Sequence, residues 1–159
     1  MSLLNALSHL PILKRSDEIV ESFVDHRNVT LVSSDTGSGK TLILPYLCAQ
    51  ELGWSETVYV VLPSRTMGYN AFMSAQRLSG TRDDVYSYQC ESYDNETCLG
   101  NMISGRIVYI TVAHLLASGI ISTARNFIID EAHISSPDIV LAKAILQSRV
   151  CDPDDKIRV

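Results

Sequence analysis

Three short, unbroken apolar runs constrain this chain most: "TVYVVLP" (Thr57 to Pro63), "RIVYIT" (Arg106 to Thr111) and "NFIID" (Asn126 to Asp130). A strand with one wet face alternates apolar and polar residues, whereas a continuously apolar run belongs to a strand covered on both faces, as in a parallel sheet. Helical patterns stand between the runs. "RTMGYNAFMSAQRLSG" follows the first and stops at Gly80, and "VAHLLASG" follows the second as a short helix. "SPDIVLAKAILQS" follows the third, with Ile139, Ala142 and Leu146 on one apolar face. Earlier, "SDEIVESFVDH" places Ile19, Val20, Phe23 and Val24 on one helical face, with Ser16 as its N-cap. "DVYSYQC" is a weaker strand, and "KIRV" can begin one more. Strands alternating with helices from end to end predict an α/β fold, a parallel sheet with helices on both faces.

With 159 residues, 46% of them hydrophobic, the chain can bury the core of one ordinary domain spanning 1–159. No apolar run reaches the ~18 residues of a membrane span. The apolar start carries Lys14 and Arg15 after it, the reverse of a signal peptide. A net charge of −5 counts against strong autonomous nucleic-acid binding and leaves a local basic cleft open. The scattered cysteines read as reduced thiols of an intracellular protein, with a Cys90–Cys98 disulfide as the alternative. The chain stops on an apolar residue in an apparent strand, so a cut through a longer protein is expected.

The stretch "TLVSSDTGSGKT" (Thr30 to Thr41) nearly fits the phosphate-loop pattern G-x-x-x-x-G-K-[ST], with Ser34 where the first glycine belongs. Such a loop needs inward-facing backbone N–H groups, a following helix start that favours anions, a lysine for the β- and γ-phosphates and a hydroxyl for Mg²⁺. Gly37 and Gly39 flank Ser38 and permit the unusual φ values, and Lys40 and Thr41 head the predicted helix "KTLILPYLCAQEL". Pro45 interrupts that helix and is expected to kink it or limit its regularity. A β-rich run, Asn28 to Ser34, precedes the loop. Ser34 does the loop little harm, because the close approach to phosphate is made by the later glycines.

"FIIDEAHISSPD" supplies the second half of such a site. Its strand ends in Asp130, which places an acid at the carboxyl edge of the sheet, where open α/β sheets bind ligands. Asp130 suits Mg²⁺, and Glu131 suits orienting or deprotonating the attacking water. A zinc site does not fit, since Glu131 and His133 complete no ligand set. Alone, the acidic run reads as a solvated loop; together with the phosphate loop it is the second half of one Mg-nucleotide site.

These residues resemble the first RecA-like domain of superfamily two helicases, the DEAH/DExH group, over roughly Leu10 to Ser148. "SSDTGSGKT" looks like the group's first motif, which tolerates Ala or Ser at its start. "VLPSRTMG" is similar to the P-T-R motif, with Ser64 replacing Thr. "YITVAHLLASG" is similar to the T-x-G motif and its leucine pair, from which Ala113 and His114 depart. "IIDEAH" is the DEAH box. Two branches share features with the chain. Cellular DEAH-box RNA helicases share the "LPI" and "LILPYL" framing; helicases of positive-strand RNA viruses share the compact spacing and the "PSR" and "VAHLLA" variations. The divergent middle section favours the viral branch.

The resemblance implies ATP and Mg²⁺ as cofactors, held by the loop residues Ser34, Asp35, Thr36, Gly37, Ser38 and Gly39 and by Lys40 and Thr41. It implies metal and water roles for Asp130 and Glu131, and coupling of nucleotide state to the rest of the machine through His133. Arg65 and Thr111 would touch the backbone of single-stranded RNA, a contact without sequence preference; a helix-start cation and a buried strand-end threonine are the plainer readings. Tyr86, Tyr88 and Tyr93 are expected to pack on a sheet face rather than stack on bases. The other partner implied is a second RecA-like domain carrying an arginine finger, absent from 1–159. Poor hydrolysis and no unwinding are therefore expected of this chain alone. The implied location is cytoplasmic, the host cytoplasm for a viral protein.

Overall fold

A computed structural model describes residues 9–25, 29–35, 37–79, 85–90 and 105–159. A 3₁₀ turn, Pro11–Arg15, leads into α1 (Ser16–Val24). There follow α2 (Lys40–Glu51), β1 (Val58–Leu62), α3 (Arg65–Ser79), β2 (Tyr86–Gln89), β3 (Ile107–Thr111), α4 (Val112–Ala117), α5 (Ile120–Thr123), β4 (Asn126–Ile129) and α6 (Pro137–Val150). The strands form one sheet in the order β2-β3-β1-β4, and every pair in it is parallel. In register, Val58 lies between Ile107 and Asn126, and Val61 between Ile110 and Ile129.

The three apolar runs are the two inner strands, β3 and β1, and β4 beside β1, and their side chains feed two cores. Val58, Val60 and Leu62 point to one face, with Tyr109 of β3, Phe23 of α1 and Cys48 of α2. Val61, Ile110 and Phe127 point to the other, against Leu115 of α4 and Leu146 of α6. Strand alternation thus divides one apolar run between two layers of helices. Ile139, Ala142 and Leu146 are the buried stripe of α6, as their spacing predicts. Tyr86 is buried and Tyr88 lies stacked on Phe72, so both pack as expected; Tyr93 and Cys98 lie outside the described residues.

Three local expectations change. Ser16 does not cap α1: Arg15 occupies the cap position, and the Ser16 hydroxyl donates to the Leu13 carbonyl of the preceding turn. The 3₁₀ turn runs straight into the helix, so no free N–H is left for a serine cap. The β-rich run before the phosphate loop is not a ladder strand over 29–35. It lies beyond β4, and its Thr30 N–H donates to the Val159 carbonyl, while Arg158 forms a single parallel bridge to Asn126. Thr30 Oγ1 also shares a hydrogen bond with Ser22 Oγ of α1 at 2.8 Å, while Val29 and Leu31 stay exposed. Finally, α2 runs unbroken through the buried Pro45. Pro45 has no N–H to offer the carbonyl four residues back, that of Thr41. The Tyr109 hydroxyl donates to it instead, at 3.2 Å.

Candidate functional site

The phosphate loop turns at two glycines with positive φ, Gly37 at 78° and Gly39 at 100°. Gly39 is the N-cap of α2, and its φ fixes it; a Cβ there would also meet the end of the Leu10 side chain, at 2.8 Å from Cδ1. Between them Ser38 is 4% exposed. Its N–H donates to the Asp35 carbonyl, and its own carbonyl accepts from Ile12 N–H. The glycines therefore let the loop curl tightly onto the 3₁₀ turn while the head of a twelve-residue helix emerges from it. Thr36 lies outside the described residues.

Lys40 folds back over this loop. Its Nζ donates to the Ser34 carbonyl at 2.7 Å, to Ser34 Oγ at 3.0 Å and to the Asp35 carbonyl at 3.0 Å. Ser34 Oγ and Ser38 Oγ share a hydrogen bond of 2.7 Å.

On the other side, Asp130 follows the last residue of β4, and its N–H donates to the Val61 carbonyl at 3.0 Å. The ladder thus extends just far enough to fix the acid at the carboxyl edge. One carboxylate oxygen, Oδ2, accepts from Thr41 Oγ1 at 2.6 Å, across 89 residues of sequence. The other, Oδ1, accepts from the Glu131 N–H at 3.0 Å. Glu131 has φ 53°, a left-handed conformation that costs a residue with a Cβ about 1–2 kcal/mol. Three bonds hold this turn: the Asp130 cap, Ile134 N–H to the Glu131 carbonyl, and Lys143 Nζ to the Ala132 carbonyl at 2.9 Å. His133 is exposed, with Nε2 3.4 Å from Glu131 Oε2.

Tyr109 lies beneath both halves. Burial holds its phenol well above the ordinary tyrosine range, and the nearby Tyr86 and Asp130 push the same way. It stays a neutral hydrogen-bond donor to Thr41. A hydroxyl and a carboxylate at 2.6 Å form an all-oxygen donor set, which suits a hard cation such as Mg²⁺.

A family model for DEAD/DEAH box helicases matches residues 15–148. The chain belongs to the DEAD/DEAH box helicase family. It is 28% identical to the human ATP-dependent RNA helicase DHX29 over 167 aligned residues, covering 92% of this chain and 12% of that protein. The mouse protein of the same name is 28% identical over 169 residues, with the same coverage. The chain therefore spans about an eighth of the length of these curated relatives. The family match contains both half-sites, from Lys40 to Glu131, and the all-parallel sheet is the RecA-like arrangement expected of a helicase domain of this family.

The remaining expected residues fall elsewhere. Arg65 is exposed at the first position of α3, and its carbonyl accepts from the Tyr88 hydroxyl. Thr111 is 2% exposed, and its Oγ1 accepts from the His114 N–H as the cap of α4, so the plainer reading describes it. An open recess lined by Glu56, Tyr59, Arg125 and Asn126 lies at the amino edge of the strands, the opposite end from Asp130. Two residues were missed by sequence reasoning. Tyr109 was detectable: Pro45 orphans the Thr41 carbonyl, and a buried orphan needs a donor. Lys143 carries no signal, because its contact joins a helix to a turn eleven residues away.

Proposed function

We propose that this chain is the ATP-binding half of an NTP-dependent RNA helicase, with Mg-ATP seated between the phosphate loop and the DEAH turn. The observation that carries this reading is the 2.6 Å contact between Thr41 Oγ1 and Asp130 Oδ2. It joins the hydroxyl of one motif to the first acid of the other, at the carboxyl edge of a parallel sheet.

In this reading the backbone N–H groups at Gly37, Ser38 and Gly39, with the start of α2, receive the phosphates, and Lys40 pairs with the β- and γ-oxygens. Ser34 and Asp35 shape the loop's entrance. Thr41 and Asp130 would hold Mg²⁺, which would neutralise negative charge on the phosphates. Glu131 projects from a strained turn and takes the proton of the attacking water. His133, against the Glu131 carboxylate, relays the state of the site to a second RecA-like domain. Arg65, exposed at the head of α3, contacts the backbone of single-stranded RNA, and Thr111 reaches that track only by fixing the start of α4.

Similarity to mammalian RNA helicases supports the cellular DEAH-box branch over the viral one. No helix among the described residues is long and apolar enough to cross a membrane. Calorimetric titration with Mg-ATP tests the site. Wild type should bind, and Lys40→Ala should bind at least about tenfold more weakly, the size of one lost charge-assisted hydrogen bond. Equal affinity in the two proteins would show that the nucleotide lies elsewhere.

A further inference from the structure

The Lys40 ammonium has three N–H donors, and the loop engages all of them. Two backbone carbonyls, of Ser34 and Asp35, lie at 2.7 and 3.0 Å, and Ser34 Oγ lies at 3.0 Å. Ser38 Oγ stands at the margin, 3.4 Å away. The Ser34 hydroxyl is also bonded to Ser38 Oγ at 2.7 Å, which ties the entrance of the loop to its buried middle. One side chain therefore touches both the lysine and the turn on which a phosphate would rest. The glycine usual at this motif position has no atom with which to make either contact.

We infer that Ser34 is a latch, a positioning residue that holds Lys40 folded back on the phosphate loop and so lowers the affinity of the site for nucleoside di- and triphosphates. The inference rests on the nucleotide reading given above. A phosphate must draw Nζ away from its acceptors in the loop, and each acceptor it keeps in the free protein opposes binding. Where only a fraction of molecules is competent, the apparent dissociation constant rises by the inverse of that fraction. The two backbone acceptors are present whatever residue occupies position 34, so the serine hydroxyl is the part of the latch specific to this chain.

The test is titration of the chain with Mg-ATP and Mg-ADP, read beside its melting temperature without ligand. Ser34→Ala removes the hydroxyl and keeps the Cβ. It should bind both nucleotides about two- to tenfold more tightly, the range set by one net hydrogen bond. Its ligand-free melting temperature should be unchanged or lower. Ser34→Thr keeps a hydroxyl and should stay within about twofold of wild type. Equal or weaker nucleotide binding by Ser34→Ala, with wild type binding normally, overturns the latch, because a serine that merely supports the loop would lose affinity together with stability. Failure of the nucleotide reading looks different: wild type then shows no binding, or Lys40→Ala matches it, and the latch falls with it.

Discussion

Asp130 hangs from β4, a strand paired to β1 and pinned in the core by the fully buried Phe127. Lys40 ends a loop whose contacts are mostly with itself, after a run that forms no ladder over 29–35. The acid half is placed by tertiary packing, and its one strained residue, Glu131, sits in a turn closed by three hydrogen bonds. The loop half is placed by glycine conformation and a few side-chain bonds at the surface. The proposed nucleotide site would gain from this division, since one wall is fixed and the other rearranges at a cost of single hydrogen bonds. Tyr109 joins the two, rooted in the core and bonded to the first turn of α2.

If the acid half depends on the core, Phe127→Ala should have the largest effect, about 3–5 kcal/mol of lost stability in urea unfolding. Gly37→Ala should cost only about 1–2 kcal/mol, from a positive φ with open space around it. Equal costs would erase the contrast. Tyr109→Phe should cost about 1–2 kcal/mol, because the Thr41 carbonyl opposite Pro45 then loses its donor. Lys143→Met should cost less, about 0.5–1.5 kcal/mol, by releasing the Ala132 carbonyl. Its larger consequence should be on the turn, visible as faster amide exchange at Glu131 to Ile134. Unchanged exchange would mean that the turn holds itself.

Alkaline pH shows where the soft region stops. Burial pushes the Cys48 thiol, on the second half of α2, up to about 12, and raises Tyr109 above the ordinary tyrosine value. Both groups stay protonated longer in the folded chain than in the unfolded one. Their contribution is complete below the unfolded pKa values and is lost as pH rises beyond them. Stability should therefore decline above about pH 9, first through Cys48 and then through Tyr109. In the native protein, iodoacetamide at pH 8 should label the exposed Cys151 at least about tenfold faster than Cys48. Comparable rates would extend the soft region into α2.

How much of this was legible in the sequence depends on the range of the force involved. The strands at Val58–Leu62, Ile107–Thr111 and Asn126–Ile129 could be read directly, because burial on both faces writes itself into most of the run, and into all of it for Ile107–Thr111. The stripe of α6 was legible for the same reason. The run before the loop was β-rich through Val29, Leu31 and Val32, yet its ladder depends on what lies beside it, and a propensity cannot supply a neighbour. Ser16 resembled a cap, but the turn at Pro11–Arg15 had already taken its role. Within the site, the motifs announced Lys40, Thr41 and Asp130. The Ser34–Ser38–Lys40 knot and the Lys143 clamp were hidden, since each depends on how the chain curls and packs rather than on residue spacing.

The central claim is that Thr41 and Asp130 form one cation site for a bound nucleotide. The most direct measurement is the Mg²⁺ dependence of ATP affinity in wild type, Thr41→Val, Asp130→Asn and the double variant. The account predicts that each single change removes most of the Mg²⁺ enhancement and that the double change removes little more, the non-additivity expected of groups acting on one ion. Full Mg²⁺ enhancement in either single variant, or independent losses that simply add, would contradict it.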